Sequence, residues 1–254
     1  MQSHLKILGV IPARLDSVRL PGKVLRKIGD KAMLHHVYER ARQSPLLSGL
    51  LVATDSSEVL EYCAKWGIPS IRTRQHLSGS DRIHEVMERT DADIYINIQG
   101  DEPTLRAAHI ERLLDPILND RASIITLKVA IDYTTAQNPD CVKVVTDNKG
   151  RALYFSRLPI PYSLREHEDI QYYKHIGLYA YTRSALVQFH SLPPSRLEKT
   201  EKLEQLRLLE NGIDILVEET SYDTIGVDTE ADLEKAAAFL AGEQAGNKKL
   251  KIYN

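Results

Sequence analysis

Short hydrophobic runs alternate with segments of helical spacing along the first half of the chain. Five runs predict buried β-strands: Lys6–Ile11, Leu50–Ala53, Ile68–Arg72, Ile94–Ile98 and Ile124–Ala130. Between them, apolar residues recur every three or four positions and predict helices at 33–41, 59–66, 81–89 and 107–118. Because strands that alternate with helices normally pair in parallel, we predict an α/β fold with a doubly wound, mainly parallel sheet. Ligands of such sheets bind beyond the carboxyl ends of the strands.

The alternation changes after Asp132, where successive strands are predicted without helices between them. These strands cover 141–146, 152–155 and 175–181, and Gly- and Pro-bearing turns join them. We predict a single domain of residues 1–254 with an inserted antiparallel lobe at about 132–194. After the lobe, Ser195–Glu210 is predicted to be one helix that ends at Asn211 and Gly212. A strand at 213–217 and a helix from 229 to about 240 complete the fold.

Composition limits the kinds of partner. The 254 residues contain 33 Lys and Arg against 35 Asp and Glu, so a basic excess typical of nucleic-acid binding is absent and any anion site must be local. The apolar stretch from 7 to 13 is far shorter than the roughly 20 residues of a membrane span. Cys63 and Cys141 are far apart and outside any C-x-x-C pair, so we expect reduced thiols and a cytoplasmic location.

Several common catalytic motifs are excluded by inspection. No two of the 13 glycines are separated by a single residue, so a G-x-G-x-x-G dinucleotide loop is excluded. Gly22-Lys23 is followed by Val24 rather than Ser or Thr, which excludes a Walker A loop. Neither H-E-x-x-H nor G-x-S-x-G occurs. A phosphate-binding site in this chain would therefore require a different motif.

The loop after the first predicted strand contains three cations, Arg14, Arg19 and Lys23. Arginine binds phosphate oxygens in a bidentate manner, and lysine contributes a mobile point charge. For any one of these residues a solvated surface loop is an equally good interpretation. Because all three follow the carboxyl end of the first strand, we predict that they bind a triphosphate.

Two acidic turns also follow strand-like segments. Asp101 lies in Gln99-Gly100-Asp101-Glu102-Pro103, and its carboxylate suits Mg²⁺, which prefers oxygen ligands and phosphates. Asp228 lies in Gly226-Val227-Asp228-Thr229-Glu230, before the last predicted helix. The alternative for Asp228 is a helix N-cap, although Thr229 with Asp232 provides an equally good cap.

Eight runs, taken in order, resemble the 3-deoxy-manno-octulosonate (Kdo) cytidylyltransferases. They are IPARLDSVRLPGK, VATD, HLSGSDR, NIQGDEP, ALYFSRLPIP, HIGLYAY, LEQLR and GVDTEADLE. The resemblance covers almost everything from Ile7 to about Phe239. The first run and QGDEP occur in looser form in other sugar nucleotidyltransferases, whereas ALYFSR, HIGLY and LEQLR are more specific. The sequence departs from the family pattern at Ser80, where Thr is more frequent, and at Leu105, where Ile is common.

The resemblance implies transfer of CMP from CTP to Kdo, with release of pyrophosphate, for lipopolysaccharide biosynthesis. It also implies Mg²⁺ as cofactor and a cytoplasmic homodimer, whose interface we place in the lobe at about 132–194. Carried over by motif, Arg14, Arg19 and Lys23 hold the triphosphate, and Asp101 and Asp228 hold the metal ion. The cytosine and the rest of the nucleotide are expected to meet Ala13, Arg74, Ser78 and Gly79.

For the sugar acid, the resemblance points to polar residues of mixed chemistry. Hydroxyl groups need both donors and acceptors, and a carboxylate needs a cation. The expected sugar contacts are Gln99, His175, Tyr179, Glu204 and Gln205, with Arg82 and Arg157 as partners of the carboxylate. Without the resemblance, His175 is equally well explained as a satisfied histidine in a strand and Glu204 as a solvent-facing helical residue.

Two other functions remain as alternatives. The first is a cytidylyltransferase for a related sugar acid, either 8-amino-Kdo or a sialic acid, since one substituent contributes few contacts. LEQLR and HIGLY favour Kdo over sialic acid. The second is a protein that binds nucleotide sugars without catalysis, which the three cations and two carboxylates disfavour.

Overall fold

The computed structural model describes residues 5–76, 78–164 and 170–250, with only the backbone described from 244 onwards. The strands are β1 (Ile7–Pro12), β2 (Lys27–Ile28), β3 (Lys31–Ala32), β4 (Gly49–Thr54), β5 (Ser70–Arg72), β6 (Ile94–Asn97), β7 (Ile124–Ile131), β8 (Lys143–Thr146), β9 (Ala152–Ser156), β10 (Tyr172–Thr182) and β11 (Leu216–Glu219). The helices are α1 (Met33–Ala41), α2 (Ser57–Trp66), α3 (Gly79–Glu88), α4 (Ala107–Leu118), α5 (Tyr133–Ala136), α6 (Arg183–Ser191), α7 (Arg196–Glu201), α8 (Leu206–Glu210) and α9 (Glu230–Leu250).

The chain divides into two compact units. The first unit comprises Lys6–Thr90, Asn97–Ala108 and the chain from Thr224 onwards. The second unit is made chiefly of Asp91–Ile96 and His109–Asp223.

The first unit contains a parallel sheet in which β4 pairs with β1 on one side and β5 on the other. Helix α2 separates β4 from β5, as the alternation of patterns predicts. The helix begins after Ser56, whose side chain accepts a hydrogen bond from the Val59 amide, and ends at Gly67, which has φ of 65°. These features confirm the predicted α/β fold class in this unit.

The second unit combines parallel and antiparallel pairs. Strand β7 pairs with β10 antiparallel and with β11 in parallel. Strands β8 and β9 form an antiparallel pair, and β8 also pairs with β10. The antiparallel extension predicted for the middle of the chain is therefore present, while its boundaries at about 132–194 and the single-domain organisation stay predictions.

The prediction of one helix over Ser195–Glu210 is wrong. Two short helices, α7 and α8, occupy this segment, and Lys202 between them adopts a left-handed conformation with φ of 57°. A left-handed residue cannot continue an α-helix, so the chain changes direction there. After this turn Leu208 is fully buried, whereas Leu209 is only partly buried.

Other differences concern the ends of elements. Strand β11 begins at Leu216 instead of 213, and α9 extends to Leu250 instead of about 240. The sequence prediction also missed α6 and the β2–β3 pair. Residues 251–254 of the lysine-containing terminus lie outside the described residues. In the ranges described, no helix has the length and apolar character needed to cross a membrane.

Candidate active site

Four charged side chains of the first unit converge after strand β1. The Lys23 Nζ atom lies 2.5 Å from Asp101 Oδ2 and 2.8 Å from Asp228 Oδ1, and an Arg19 guanidinium nitrogen lies 2.8 Å from Asp228 Oδ2. We call these four residues the cation–carboxylate cluster. The structure thus unites two cations of the predicted triphosphate loop with both predicted metal ligands.

The turn that carries Asp101 is held against the end of β1. The Ile98 amide donates to the Val10 carbonyl at 2.9 Å, which continues the strand pairing up to the turn. A Cβ atom at Gly100 would lie 2.9 Å from the Pro12 carbonyl oxygen, closer than real Cβ contacts. Glycine is therefore required at this position for space, because any side chain would force the Asp101 turn away from β1.

Asp228 is positioned by a backbone bond and by the start of α9. The Val227 amide donates to the Asp101 carbonyl at 2.9 Å, which ties the two acidic segments together. Thr229 and Asp232 exchange side-chain-to-backbone hydrogen bonds and so form the cap at this helix start. The Asp228 side chain pairs with Arg19 and Lys23, and its role as a metal ligand stays a prediction.

The electrostatics of the cluster keep Lys23 charged. Burial alone would lower the pKa of the Lys23 ammonium, but the Asp101 and Asp228 carboxylates outweigh this effect and raise its pKa. The Lys23 ammonium is therefore a cation that the two carboxylates share.

The same two carboxylates fit a magnesium ion. Carboxylate oxygens of Asp101 and Asp228 both lie within 2.8 Å of one cationic atom. No group of three or more His, Cys, Asp or Glu side chains gathers in the described part of the chain. Mg²⁺ is commonly held by one or two carboxylates together with substrate phosphates, so two ligands suffice for this metal.

A pocket of the first unit adjoins this cluster. Its predicted members are Ala13, Arg14, Lys23, Ser78, Gly79, Arg82, Gln99 and Asp101. The structure adds Pro12, Val24, His76 and Gly100 to the lining. Pro12, Val24 and Gly100 flank predicted residues along the chain. His76 begins the run HLSGSDR, but the sequence analysis assigned it no role.

Residues of the pocket wall are already engaged with one another. Arg82 is buried, lies 2.8 Å from Asp55 Oδ1 and also donates to Thr73, so its expected contact with a sugar carboxylate stays a prediction. Ser78 caps α3 by accepting from the Asp81 amide at 3.1 Å. The Gln99 amide donates to the Asn97 side chain at 3.1 Å.

Arg74 and Gly79 are the remaining predicted nucleotide contacts. The Arg74 side chain is 77% exposed, which leaves it available for a ligand, and its backbone amide donates to Glu85 Oε2 at 3.0 Å. A Cβ atom at Gly79 would make ordinary contacts with Asn97 and Pro12. Space inside the protein therefore does not require glycine at 79, and close approach of a ligand stays the predicted reason.

In the second unit, Thr126, His175 and Tyr179 meet at an irregularity of strand β10. The pairing of β10 with β7 shifts between Ile176 and Tyr179, and such shifts redirect side chains. His175 Nε2 lies 3.0 Å from the Thr126 hydroxyl, and its ring contacts Tyr179 edge-on at 5.5 Å between centroids. Desolvation, with a smaller effect of Lys174, lowers the pKa of His175 to about 3, so the imidazole is neutral.

The turn between α7 and α8 contributes Glu204 and Gln205. Gln205 is buried, and within the described chain neither its Nε2 atom nor the Tyr179 hydroxyl has a hydrogen-bond partner of normal geometry. Burial first, and the charges of Tyr181 and Glu204 as well, raise the pKa of Tyr179 well above its ordinary value. We call Thr126, His175, Tyr179, Glu204 and Gln205 the β10 cluster.

Arg157 lies in the same region of the second unit, where its side chain contacts backbone carbonyl groups. Its guanidinium donates to the Glu201 carbonyl at 2.8 Å and to the Pro139 carbonyl at 3.0 Å. The buried ammonium of Lys143 donates to the Arg157 carbonyl at 2.6 Å. Arg157 therefore holds α7 just before the turn with Glu204, and its expected contact with the sugar carboxylate stays a prediction.

Comparison with known proteins identifies relatives over most of the chain. A family model described as cytidylyltransferase matches residues 8–215. A 3-deoxy-manno-octulosonate cytidylyltransferase from Koribacter versatilis is 49% identical, and the match covers 92% of this chain and 90% of the relative. The protein of the same name from Escherichia coli is 48% identical, with coverage of 95% and 99%.

Solved structures agree with these relatives. A CMP:2-keto-3-deoxy-manno-octonic acid synthetase complexed with CTP superimposes with a TM-score of 0.89 at 47% identity, covering 94% of this chain and 99% of the other. A putative glucose-1-phosphate thymidylyltransferase from Bacillus anthracis gives a TM-score of 0.62 at 15% identity, with coverage of 92% and 94%. The second match shows a shared fold alone.

Proposed function

The chain belongs to the 3-deoxy-manno-octulosonate cytidylyltransferases, and we propose that it transfers CMP from CTP to Kdo, releasing pyrophosphate, for lipopolysaccharide biosynthesis. One observation carries this proposal: Lys23 and Arg19 converge with Asp101 and Asp228 at the carboxyl end of β1. A nucleotide with several phosphates requires cations, and its metal ion requires carboxylates. Both are present in this cluster.

The reaction forms one bond and breaks one. The anomeric hydroxyl oxygen of Kdo attacks the α-phosphorus of CTP, the bond from that phosphorus to the bridging oxygen breaks, and pyrophosphate leaves with the bond electrons. The hydroxyl proton passes to solvent. Positioning and charge stabilisation are the protein's main tasks in such a transfer. Arg14, Arg19 and Lys23 orient the triphosphate and offset the charge that grows on the leaving group.

Asp101 and Asp228 would hold Mg²⁺ in this proposal. The bound ion supplies Lewis-acid chemistry, which lowers the pKa of a coordinated hydroxyl and neutralises phosphate charge. Lys23, which pairs with both carboxylates in this structure, would be released to a phosphate oxygen when nucleotide and metal bind. The short contacts of Lys23 with both carboxylates support this exchange, because one cation replaces another among the same oxygens.

In the second unit, the β10 cluster and Arg157 are the proposed contacts for the sugar. Buried polar atoms without partners are costly in a folded protein and therefore indicate that a ligand completes their bonding. In the part of the chain that the structure describes, the Tyr179 hydroxyl oxygen and Gln205 Nε2 are two such atoms. The neutral His175 ring offers a further hydrogen-bonding edge that carries no charge.

We propose that the enzyme is a homodimer whose interface lies in the lobe at about 132–194. Large apolar side chains are exposed there: Leu158 is 71%, Tyr162 81% and Leu164 93% accessible. Adjacent exposed apolar side chains are typical of interaction sites. In sedimentation equilibrium, the wild type should have twice the chain mass, and Leu158→Glu with Leu164→Glu should give monomers. A monomeric wild type would contradict this part of the proposal.

We also propose that the enzyme works in the cytoplasm, where CTP is available. The two cysteines are both free and buried, which agrees with a reducing compartment. Fractionation of cells that express the chain, followed by detection with an antibody, tests this location.

The decisive experiment measures pyrophosphate release. The purified protein is incubated with CTP and Mg²⁺ and with Kdo, 8-amino-Kdo, N-acetylneuraminic acid or no sugar, and then with UTP or ATP in place of CTP. Release with CTP and Kdo alone supports the proposal. Preference for another sugar acid would leave the proposed transfer of CMP from CTP unchanged, but the sugar contacts assigned to the β10 cluster would have to be revised. Nucleotide binding without release under any condition would indicate a binding protein. Chelation of the metal by EDTA should abolish release, and excess Mg²⁺ should restore it.

A further inference from the structure

His76 is a pocket residue with one ring nitrogen fixed by a carboxylate. The ring lines the same pocket as Ala13, Arg14 and Gly79, and its side chain is only 15% exposed. Its Nε2 atom lies 2.6 Å from Glu85 Oε2. The imidazole therefore has a defined orientation in the wall of the proposed nucleotide pocket.

Glu85 determines which nitrogen carries the proton. Burial would raise the pKa of the Glu85 carboxyl, but hydrogen bonds from His76 and from the Arg74 amide outweigh it and lower the pKa. Glu85 is thus an ionised carboxylate, which can only accept hydrogen bonds. His76 Nε2 must donate the proton of this bond, and in the neutral ring Nδ1 is then an acceptor.

The Nδ1 atom has no hydrogen bond to any residue within the described ranges. The Nδ1 atom keeps accessible surface in a residue that lines the pocket, so a ligand can reach it, and an acceptor there favours a donor on the ligand. Cytosine presents an amino group at position 4, whereas uracil presents a carbonyl oxygen there. The acceptor on His76 therefore suits cytosine and opposes uracil.

We propose that His76 is a specificity-determining residue that accepts a hydrogen bond from the 4-amino group of the cytosine of CTP through Nδ1, with Glu85 as the positioning residue that fixes the ring. This inference rests on the proposed function, since it assigns a role in binding the nucleotide of that reaction. It explains how a site dominated by phosphate contacts distinguishes one pyrimidine triphosphate from another.

The test removes the amino group from the nucleotide. The triphosphate of 2-pyrimidinone riboside lacks only this group, and kcat/KM for it is compared with that for CTP, in the presence of Kdo and Mg²⁺. In the wild type, the analogue should be about tenfold poorer, which corresponds to one hydrogen bond between binding partners. In His76→Phe, which keeps a planar ring, the two nucleotides should differ less than about threefold. The ratio of CTP to UTP should also fall in this variant.

A matched control lies next to His76. Gln75 is exposed and does not line the pocket, so Gln75→Ala should retain the wild-type ratios. A purely structural role of His76 would lower kcat/KM for both nucleotides and leave their ratio unchanged.

Two outcomes would overturn the inference. The first is a wild type that uses the pyrimidinone analogue as well as CTP, and this measurement does not depend on whether any variant folds. The second is a folded His76→Phe enzyme that discriminates as strongly as the wild type. If the wild type transfers CMP to no sugar acid, the proposed function fails instead. The inference about His76 is then tested by calorimetric binding of CTP and of the analogue, where equal affinities would overturn it.

Discussion

The cation–carboxylate cluster and the β10 cluster differ in their electrostatics, since the first is built from charged pairs and the second chiefly from buried neutral groups. In the first, Lys23 and Arg19 pair with Asp101 and Asp228, and the Arg19–Asp228 pair is nearly half exposed. The second is largely buried and contains a neutral His175, together with polar atoms of Tyr179 and Gln205 that have no hydrogen-bond partner of normal geometry among the described residues. The exposed Arg19–Asp228 pair can exchange partners for phosphate and metal at little cost, whereas buried neutral groups carry a desolvation cost until a ligand completes their hydrogen bonds.

The difference separates two tasks in one reaction. Charge density suits a polyphosphate, whose recognition depends on position and valence. A polyhydroxylated sugar requires donors and acceptors at fixed places, which only a packed environment provides. The two clusters should therefore respond differently to substitution: changes in the first should lower turnover, and changes in the second should affect sugar affinity.

The largest expected effect comes from neutralising a carboxylate of the first cluster. Asp101→Asn or Asp228→Asn should lower kcat by at least about 100-fold, because the metal ion and the charge it offsets lose a ligand. Thermal unfolding should change little, since Asn keeps the size of the side chain. Pyrophosphate release at saturating Mg²⁺ measures the effect. Asp30→Asn, an exposed carboxylate of the same unit, serves as control. Near-normal turnover in either variant would contradict the assignment of that aspartate as a ligand of the metal ion.

A second experiment displaces Asp101 without changing its charge. Gly100→Ala places a Cβ atom against the Pro12 carbonyl, so we expect about 2 kcal/mol of destabilisation and a clear loss of turnover. Gly242→Ala is the matched control, because a Cβ there meets nothing within 4 Å and helix α9 should gain about 0.5–1 kcal/mol. Chemical denaturation gives both values. Unchanged stability and activity in Gly100→Ala would show that the turn can move without consequence.

The two clusters also differ in how far the sequence predicted them. Each acidic turn directly follows a strand-like run, so Asp101 and Asp228 could be located along the chain from local pattern alone. The structure then showed that they share Lys23, a contact across 78 and 205 residues of sequence separation. A motif identifies such residues, but only the parallel sheet and the capped start of α9 bring them together.

Four of the five residues of the β10 cluster could be predicted only through family resemblance, and the fifth, Thr126, was missed. The geometry of the cluster depends on the register shift after Ile176 and on the left-handed Lys202, and neither leaves a periodic signal. Lys202 was included in one continuous predicted helix, because the leucine spacing around it fits helical periodicity across the break. His76 was missed for a related reason. Its role depends on Glu85, nine residues away on α3, and a single histidine in a loop carries no pattern.

Removal of one hydroxyl tests whether the β10 cluster binds sugar. Tyr179→Phe should raise KM for Kdo about tenfold and leave KM for CTP nearly unchanged, because within the described chain the hydroxyl lies near Thr126 but makes no hydrogen bond of normal geometry. For the same reason the unliganded variant should be at least as stable as the wild type. The comparison variant is Tyr181→Phe, which alters a buried neighbour stacked on Tyr179. Equal effects on both KM values would assign Tyr179 to folding rather than to the sugar.

The smallest expected effect is a pH dependence of stability that originates in the β10 cluster. The pKa of His175 is lowered to about 3 in the folded chain, so between that value and its ordinary 6.5 the unfolded chain binds more protons at this residue. Stability from the neutral ring is therefore complete above about pH 6.5 and is lost progressively as the pH falls towards 3. His175→Gln removes this titration, and its free energy of unfolding should fall about 1 kcal/mol less than that of the wild type between about pH 7 and pH 5.5. His190→Gln, which removes an exposed histidine of the same unit, should retain the wild-type dependence. Parallel pH profiles for the wild type and His175→Gln would mean that water or a charge stabilises the imidazolium in the folded chain, and the description of the β10 cluster as a neutral site would then be wrong.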